Sequence, residues 1–124
     1  MKFLTFVKSR ENQGMPPAAL MEAITALGVE GTKKGVLVST GGLMPSAAGA
    51  TIRLSADGAM AVKDGPFAES REVVGGWAVY DCPSKAEAIQ YCKDFLALHH
   101  THWKGWEGEV ELRQIMEFPG SSLP

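Results

Sequence analysis

The sequence has little of what marks several common protein classes. Its only cysteines, Cys82 and Cys92, form neither a disulfide framework nor a Cys-x-x-Cys redox pair. No apolar run approaches the roughly 20 residues that a membrane-spanning helix needs. The apolar stretch over residues 3–7 stops at Lys8, which is unlike a signal peptide. We therefore expect a cytoplasmic protein without a membrane partner.

Charge of one sign is also scarce, because 12 basic residues stand against 14 acidic ones. The net charge of −2 predicts no nucleic-acid partner. The chain lacks a Walker loop, a dinucleotide glycine motif, His-Glu-x-x-His, an EF-hand spacing and a Gly-x-Ser-x-Gly elbow. These absences argue against the standard nucleotide-binding and hydrolase classes, and we predict no cofactor.

What is present is typical of one small globular domain, with 45% apolar and 21% charged residues among 124. We assign residues 1–118 to this domain and residues 119–124 to a frayed tail. Strand patterns cover residues 3–8, 36–40, 77–82 and 110–116. Residues 51–54 and 60–63 flank Asp57-Gly58, which predicts a β-hairpin with a tight primed turn.

Two helices are predicted between these strands. Leu20, Ile24 and Leu27 recur at helical spacing, in a helix from Ala18 that ends between residues 31 and 34. The second helix follows Ser84 as N-cap, with a glutamate three residues later, and spans about 17 residues. Its apolar face includes Cys92, Phe95 and His99.

The resulting order, β-α-β-(β-hairpin)-β-α-β, predicts an α+β fold with a split βαβ sheet of ferredoxin-like type. Helices cover only one face of such a sheet, yet the strands carry apolar groups on both faces, as at Phe3 and Leu4. An uncovered apolar face of several hundred Å² is more than a monomer usually tolerates. We therefore expect a homodimer in which two sheets pack face to face.

The most distinctive stretch is the loop Asp64-Gly65-Pro66-Phe67-Ala68-Glu69. Asp64 and Glu69 are candidate catalytic carboxylates at the mouth of a cleft, one with a raised pKa acting as a general acid or base. The same residues also suit a plain turn, in which Asp64 caps the backbone and Phe67 fills the core. On residue chemistry alone the turn is the commoner arrangement.

Histidines and tryptophans supply further candidates. His99 and His102 lie three residues apart near the end of the second helix and could share a metal ion, but they lack a clear third ligand. Imidazoles there are more simply favoured by the helix dipole, so we predict no metal site. The three tryptophans, Trp77, Trp103 and Trp106, could line a ligand pocket, although core or dimer contacts are the commoner role.

The loop together with Gly75-Gly76-Trp77 and the helix start after Ser84 closely resembles the DGPF group of YCII-related proteins. The resemblance implies a ferredoxin-like protomer in a dimeric α/β barrel. The wider superfamily is associated with a histidine–aspartate pair whose histidine lies on the first helix. Here the first histidine is His99, so only Asp64 has a counterpart. Members resembling this chain are often encoded beside alternative sigma factors.

Two functional hypotheses follow. One is a small-molecule enzyme or ligand-binding dimer with a cleft near the loop, where Asp64 is the polar pivot and Glu69 its neighbour. The other is a non-catalytic dimeric regulatory or interaction module linked to an alternative sigma factor, which the missing first-helix histidine favours. The candidate ligand-binding residues of the first hypothesis are Gly65, Pro66, Phe67, Gly76 and Trp77.

Overall fold

A computed structural model describes residues 1–67 and 71–118 of the chain, so Glu69 and the tail at 119–124 lie outside the described residues. The predicted order of elements is confirmed, and the fold is α+β and ferredoxin-like. No helix in the described ranges has the length and apolar character to cross a bilayer. The strands and helices are β1 (Lys2–Ser9), α1 (Ala18–Lys33), β2 (Leu37–Gly42), β3 (Ala50–Leu54), β4 (Met60–Asp64), β5 (Val73–Asp81), α2 (Lys85–His102) and β6 (Gly108–Gln114).

The main sheet is antiparallel with the strand order β2-β5-β1-β6, and β3 and β4 form a separate two-stranded hairpin. The register gives the sheet two distinct faces. Phe3 pairs with Tyr80 on one face, whereas Leu4 pairs with Val79 on the other. Residues directly opposite in a ladder share a face, so these pairs mark the helix-covered face and the opposite face of the sheet.

The core lies on the helix-covered face. Phe3 and Tyr80 are buried there against Ala88 and Cys92 of α2. α2 begins as predicted, because the Ser84 hydroxyl accepts a hydrogen bond from the Glu87 backbone N–H at 3.2 Å. Both cysteine thiols are free and buried, as expected for small apolar side chains.

Two glycine pairs and one turn differ from expectation. The predicted strands end at residue 40 and begin at residue 77, whereas the structure includes Gly41-Gly42 in β2 and Gly75-Gly76 in β5, where Gly42 faces Gly76. The hairpin turn is also wider than predicted, because Ser55 N–H donates to the Ala59 carbonyl and only Gly58 has a positive φ, of 91°. This is a three-residue loop with glycine in the left-handed position rather than a primed two-residue turn.

The last strand lies two residues earlier than predicted. β6 pairs with β1 from Gly108 opposite Ser9 to Gln114 opposite Phe3. The predicted residues 115 and 116 fall beyond the strand, although the Ile115 N–H still donates to the Lys2 carbonyl at 2.8 Å. Pairing with β1 determines where β6 begins and ends, and the alternation of polar and apolar residues in the sequence does not reveal these ends.

Candidate functional site

A groove with a volume of about 760 Å³ lies between α1, α2 and the helix-covered face of the sheet. Ile24 and Leu27 of α1 line one side, and Thr5, Val7 and Ala78 of the sheet form the floor. Of the residues of α1, only Leu20 is buried. The apolar stripe of this helix therefore faces open space where a tightly packed domain would have core. A concave apolar space of this size suits a small molecule.

The wall formed by α2 and the turn after it is aromatic. Tyr91 stacks on Tyr80 with ring centroids 5.4 Å apart. Further along, His99 packs against Trp106 at 4.3 Å, and Trp106 stacks on Trp103 at 5.9 Å. All of these residues line the groove. Flat side chains held in contact favour flat ligands that can stack on them.

His99 is the buried histidine of the groove, with 6% of its surface exposed. Its Nδ1 lies 3.0 Å from the Phe95 carbonyl oxygen, four residues earlier on α2. Burial lowers the pKa of His99 from its ordinary value of 6.5, and the hydrogen bond to the carbonyl opposes this effect in part. The imidazole is therefore neutral at physiological pH.

The other groups deep in the groove keep their protons. Burial raises the pKa of the Tyr80 hydroxyl to about 12, so it is a hydrogen-bond donor at neutral pH. Burial likewise raises the pKa of the Cys92 thiol to about 11, which makes it a poor nucleophile. The Thr5 hydroxyl is already engaged, because it donates to the Ala78 carbonyl at 2.9 Å.

A polar network lies at one end of the groove, around Glu11. The backbone N–H of Ser46 donates to Glu11 Oε2 at 2.7 Å, and the Ser46 hydroxyl donates to Glu11 Oε1. These two bonds, the hydroxyl's first, hold the pKa of Glu11 below its ordinary value of 4.5. The same hydroxyl accepts from the Phe67 N–H at 2.9 Å. Ser46 thus joins the loop containing Phe67 to the segment that follows β1.

The structure separates the predicted site residues into two groups. Gly76 and Trp77 of β5 border the groove. Asp64 is an exposed residue at the end of β4, and neither it nor Gly65, Pro66 and Phe67 lines the groove. Glu69 lies outside the described residues, so the proposed carboxylate pair stays a prediction.

The loop itself is tightly anchored. A Cβ on Gly65 would lie 1.7 Å from the Ser46 carbonyl oxygen, a distance that no side chain tolerates. The Gly65 N–H donates to the Gly49 carbonyl at 2.8 Å, and the ring of Phe67 lies beside Gly49. These contacts give the glycine and the phenylalanine of the motif a packing role whether or not the loop also binds a ligand.

The sequence suggested His99 only as a possible metal ligand beside His102, and it did not suggest Glu11 at all. The signal for His99 was its place on the apolar face of the second helix, four residues after Phe95 and seven after Cys92. Glu11 gave no signal, because its partner Ser46 is 35 residues away. Within residues 1–67 and 71–118, no three His, Cys, Asp or Glu side chains converge as metal ligands would.

The fold and the groove define a small α+β protein with a ferredoxin-like sheet and a cavity under its helices. Comparison with known proteins identifies the family of this chain. The YCII-related domain matches residues 1–119, and the chain belongs to this family. It is also 31% identical over 105 residues to an uncharacterised protein of Rhizobium meliloti (strain 1021), an alignment that covers 85% of this chain and 80% of that protein.

Proposed function

We propose that this YCII-related protein is a homodimer that binds a small, planar, largely apolar molecule in the groove. The observation that carries the proposal is the aromatic wall facing about 760 Å³ of space. Binding sites for small molecules are typically 300–1,000 Å³ and combine apolar walls with a few polar groups. Here the polar groups are His99 and the Tyr80 hydroxyl.

The charged side chains that line the groove already have partners within the protein, which favours a ligand of low charge. Lys34 pairs with Glu30 at 3.1 Å, and Arg10 lies 3.9 Å from Glu107. Glu11 is held by Ser46. A strongly charged ligand would have to compete with these pairs, whereas a neutral ring would replace only water.

A cavity-filling substitution tests the site. The probe is 2-methoxynaphthalene, a neutral bicyclic molecule whose fluorescence can be excited beyond the tryptophan band. Ile24→Trp places an indole in the groove and should weaken probe binding at least tenfold. Val29→Trp is the matched control, because Val29 is on the same helix but 50% exposed and does not line the groove. Equal affinity of both variants would overturn the assignment of the groove.

Absence of probe binding to the wild-type protein would favour the alternative, a non-catalytic dimeric module. In that case the groove would be a packing feature, and the dimer would be the functional unit. The link to an alternative sigma factor would then be the next interaction to test.

The surface area of the chain supports the dimer. The chain exposes 8808 Å², whereas a compact monomer of 13.3 kDa exposes roughly 6,500 Å². Even a fully extended chain over residues 68–70 and 119–124 would account for only about 1,400 Å² of the difference. The excess of about 1,000 Å² is comparable to the roughly 800 Å² that each partner buries in a standard interface.

The hairpin accounts for much of this unused surface. Ile52 pairs with Val62, and Leu54 pairs with Met60, so that these four side chains share one face of the hairpin. Their exposed fractions are between 64% and 72%. The opposite face of the sheet adds less, because Leu4 is half-buried and Val79 is only 7% exposed in the single chain. A second copy of this chain would cover the apolar face of the hairpin, because each copy offers the same surface to the other.

Sedimentation equilibrium at low micromolar concentration tests the dimer. Wild type should give twice the chain mass of 13.3 kDa. The double variant Ile52→Lys/Val62→Lys should raise the dimer dissociation constant at least tenfold. Thr51→Lys, on the opposite face of the same strand, should leave it unchanged. A monomeric wild type would overturn the dimer, whereas a dimeric double variant would overturn only the contribution of the hairpin.

A further inference from the structure

Within the described residues, one ring nitrogen of His99 has a hydrogen-bond partner, and the other has none. The Phe95 carbonyl can only accept, so Nδ1 of the neutral ring carries the proton and donates to it across 3.0 Å. Nε2 therefore carries the lone pair. In the described part of the chain, the bond to Phe95 is the one hydrogen bond that the ring makes.

Nε2 keeps some accessible surface on a residue that lines the groove. Every fully buried side-chain nitrogen or oxygen in the described ranges has a hydrogen-bond partner. Since Nε2 has none, it is not one of the fully buried atoms, although the residue as a whole is only 6% exposed. The space that His99 lines is the groove.

The ring is held in this orientation by its neighbours. Phe95 lies 4.7 Å away between centroids with a tilt of 57°, and Trp106 lies 4.3 Å away with a tilt of 36°. Together with the hydrogen bond, these two contacts prevent the ring from turning Nε2 away from the groove. An acceptor fixed in advance binds a donor with less loss of entropy than a mobile one.

Three other polar side chains of the groove are protonated or already hydrogen-bonded within the protein. The Tyr80 hydroxyl keeps its proton, and the Thr5 hydroxyl is already bonded to Ala78. The carboxylate of Glu11 is occupied by Ser46. His99 is thus a neutral, preorganised acceptor set in an aromatic wall.

We propose that Nε2 of His99 accepts a hydrogen bond from the ligand, and that the ligand class is an aromatic compound with a hydroxyl group on its ring. This inference rests on the proposed ligand-binding function of the groove. A phenol combines a flat ring, which suits the aromatic wall of the groove, with a strong hydrogen-bond donor for the imidazole. No proton need be transferred for this recognition.

Two probes of the same shape separate the acceptor from the groove. 2-Naphthol has the hydroxyl group, and 2-methoxynaphthalene has a methyl ether in its place. Wild type should bind the naphthol about tenfold more tightly, which is the factor expected for one hydrogen bond. In His99→Phe this preference should fall to less than twofold while the ether still binds. His100→Phe, at the exposed neighbouring position, should keep the preference.

A measurement on the wild-type protein avoids any dependence on the folding of the variant. In long-range ¹H–¹⁵N spectra, the Nε2 of His99 should have the shift of an unprotonated ring nitrogen. It should move on addition of 2-naphthol but not of 2-methoxynaphthalene. Equal affinity for both probes, or a preference that survives in His99→Phe, would overturn the role of His99 and leave the groove assignment intact. If neither probe bound, the proposed function would fail and this inference with it.

Discussion

The indole ring of Trp77 occupies the space that a side chain at Gly41 would need. The two residues face each other on β5 and β2, and a Cβ built on Gly41 would lie 2.2 Å from Cη2 of the ring. Glycine at position 41 therefore lets a large aromatic ring lie flat across the edge strand. The glycine that reads as a loop signal in the sequence is a packing requirement in the sheet.

We expect Gly41→Ala to destabilise the protein by about 1–3 kcal/mol, since the methyl group forces the ring of Trp77 to move. Gly42→Ala is the matched control, because a Cβ there would meet only the Gly75 carbonyl oxygen, at 4.0 Å. Thermal and urea unfolding of both variants would measure the difference.

A double-mutant cycle identifies the cause. In a Trp77→Ala background the clash is gone, so Gly41→Ala should cost little or even stabilise the strand. The same cost in both backgrounds would mean that Gly41 serves a purpose other than accommodating the ring.

The hydroxyl of Ser46 is expected to stabilise the loop through two bonds at once. Ser46→Ala leaves the Phe67 N–H without its acceptor and removes one donor to Glu11. We expect a loss of about 1 kcal/mol in the free energy of unfolding at pH 7. Ser55→Ala, the same substitution in the exposed hairpin loop, should have almost no effect.

This loss should depend on pH in a defined direction. The pKa of Glu11 is lowered in the folded state, so its contribution is complete above the ordinary value of 4.5 and is lost as the pH falls through the folded pKa. The gap in stability between wild type and Ser46→Ala should therefore narrow in urea titrations below pH 4.5. A gap that stayed constant in acid would show that the bond to Glu11 contributes nothing.

The order of elements was predictable because each element has its own local signal. Leu20, Ile24 and Leu27 give the period of α1, and the Ser84 cap marks the start of α2. What local patterns missed was set by pairing across the sheet. Gly41 and Gly76 belong to strands because of Trp77 and Gly42 on the neighbouring strands, and their sequence neighbours give no sign of it.

The candidate site was less predictable for the same reason. The loop from Asp64 was conspicuous in sequence, yet its contacts with Ser46 and Gly49 arise from chain segments more than ten residues away. His99 was visible as an apolar-face position, but the groove beside it exists because Ile24 and Leu27 stand off from the sheet. Empty space depends on the packing of distant elements, and no sequence pattern encodes it directly.

Both cysteine thiols should be inert in the folded protein. Burial raises the pKa of Cys82, and it raises that of Cys92 to about 11, so little thiolate is present at pH 8. We expect a disulfide reagent such as Ellman's to label neither thiol rapidly in buffer and to label both after unfolding in guanidinium. Ser55→Cys, in the exposed hairpin loop, provides a fast-reacting reference. Rapid labelling of Cys92 in the native state would show that the groove opens far more than the structure indicates.

The burial of His99 should also appear in the pH dependence of stability. Because desolvation lowers the pKa of His99 below 6.5, the unfolded chain binds the proton more readily than the folded one. The stability that the neutral His99 ring contributes is fully present above pH 6.5 and is lost as the pH falls through the folded pKa. Between pH 6.5 and about 5, the carboxylates of Glu11 and Glu111, whose pKa values are both lowered from 4.5, stay ionised and add little to the slope.

Across this range, the free energy of unfolding measured in urea should fall more steeply with decreasing pH for wild type than for His99→Phe. The variant has no imidazole at this position to take up a proton. The free energy of unfolding of His100→Phe should fall with pH as that of wild type does, because His100 is exposed. Parallel curves for wild type and His99→Phe would mean that the imidazole is as easily protonated when folded as when unfolded. Such a result would contradict a buried, neutral ring at the wall of the groove.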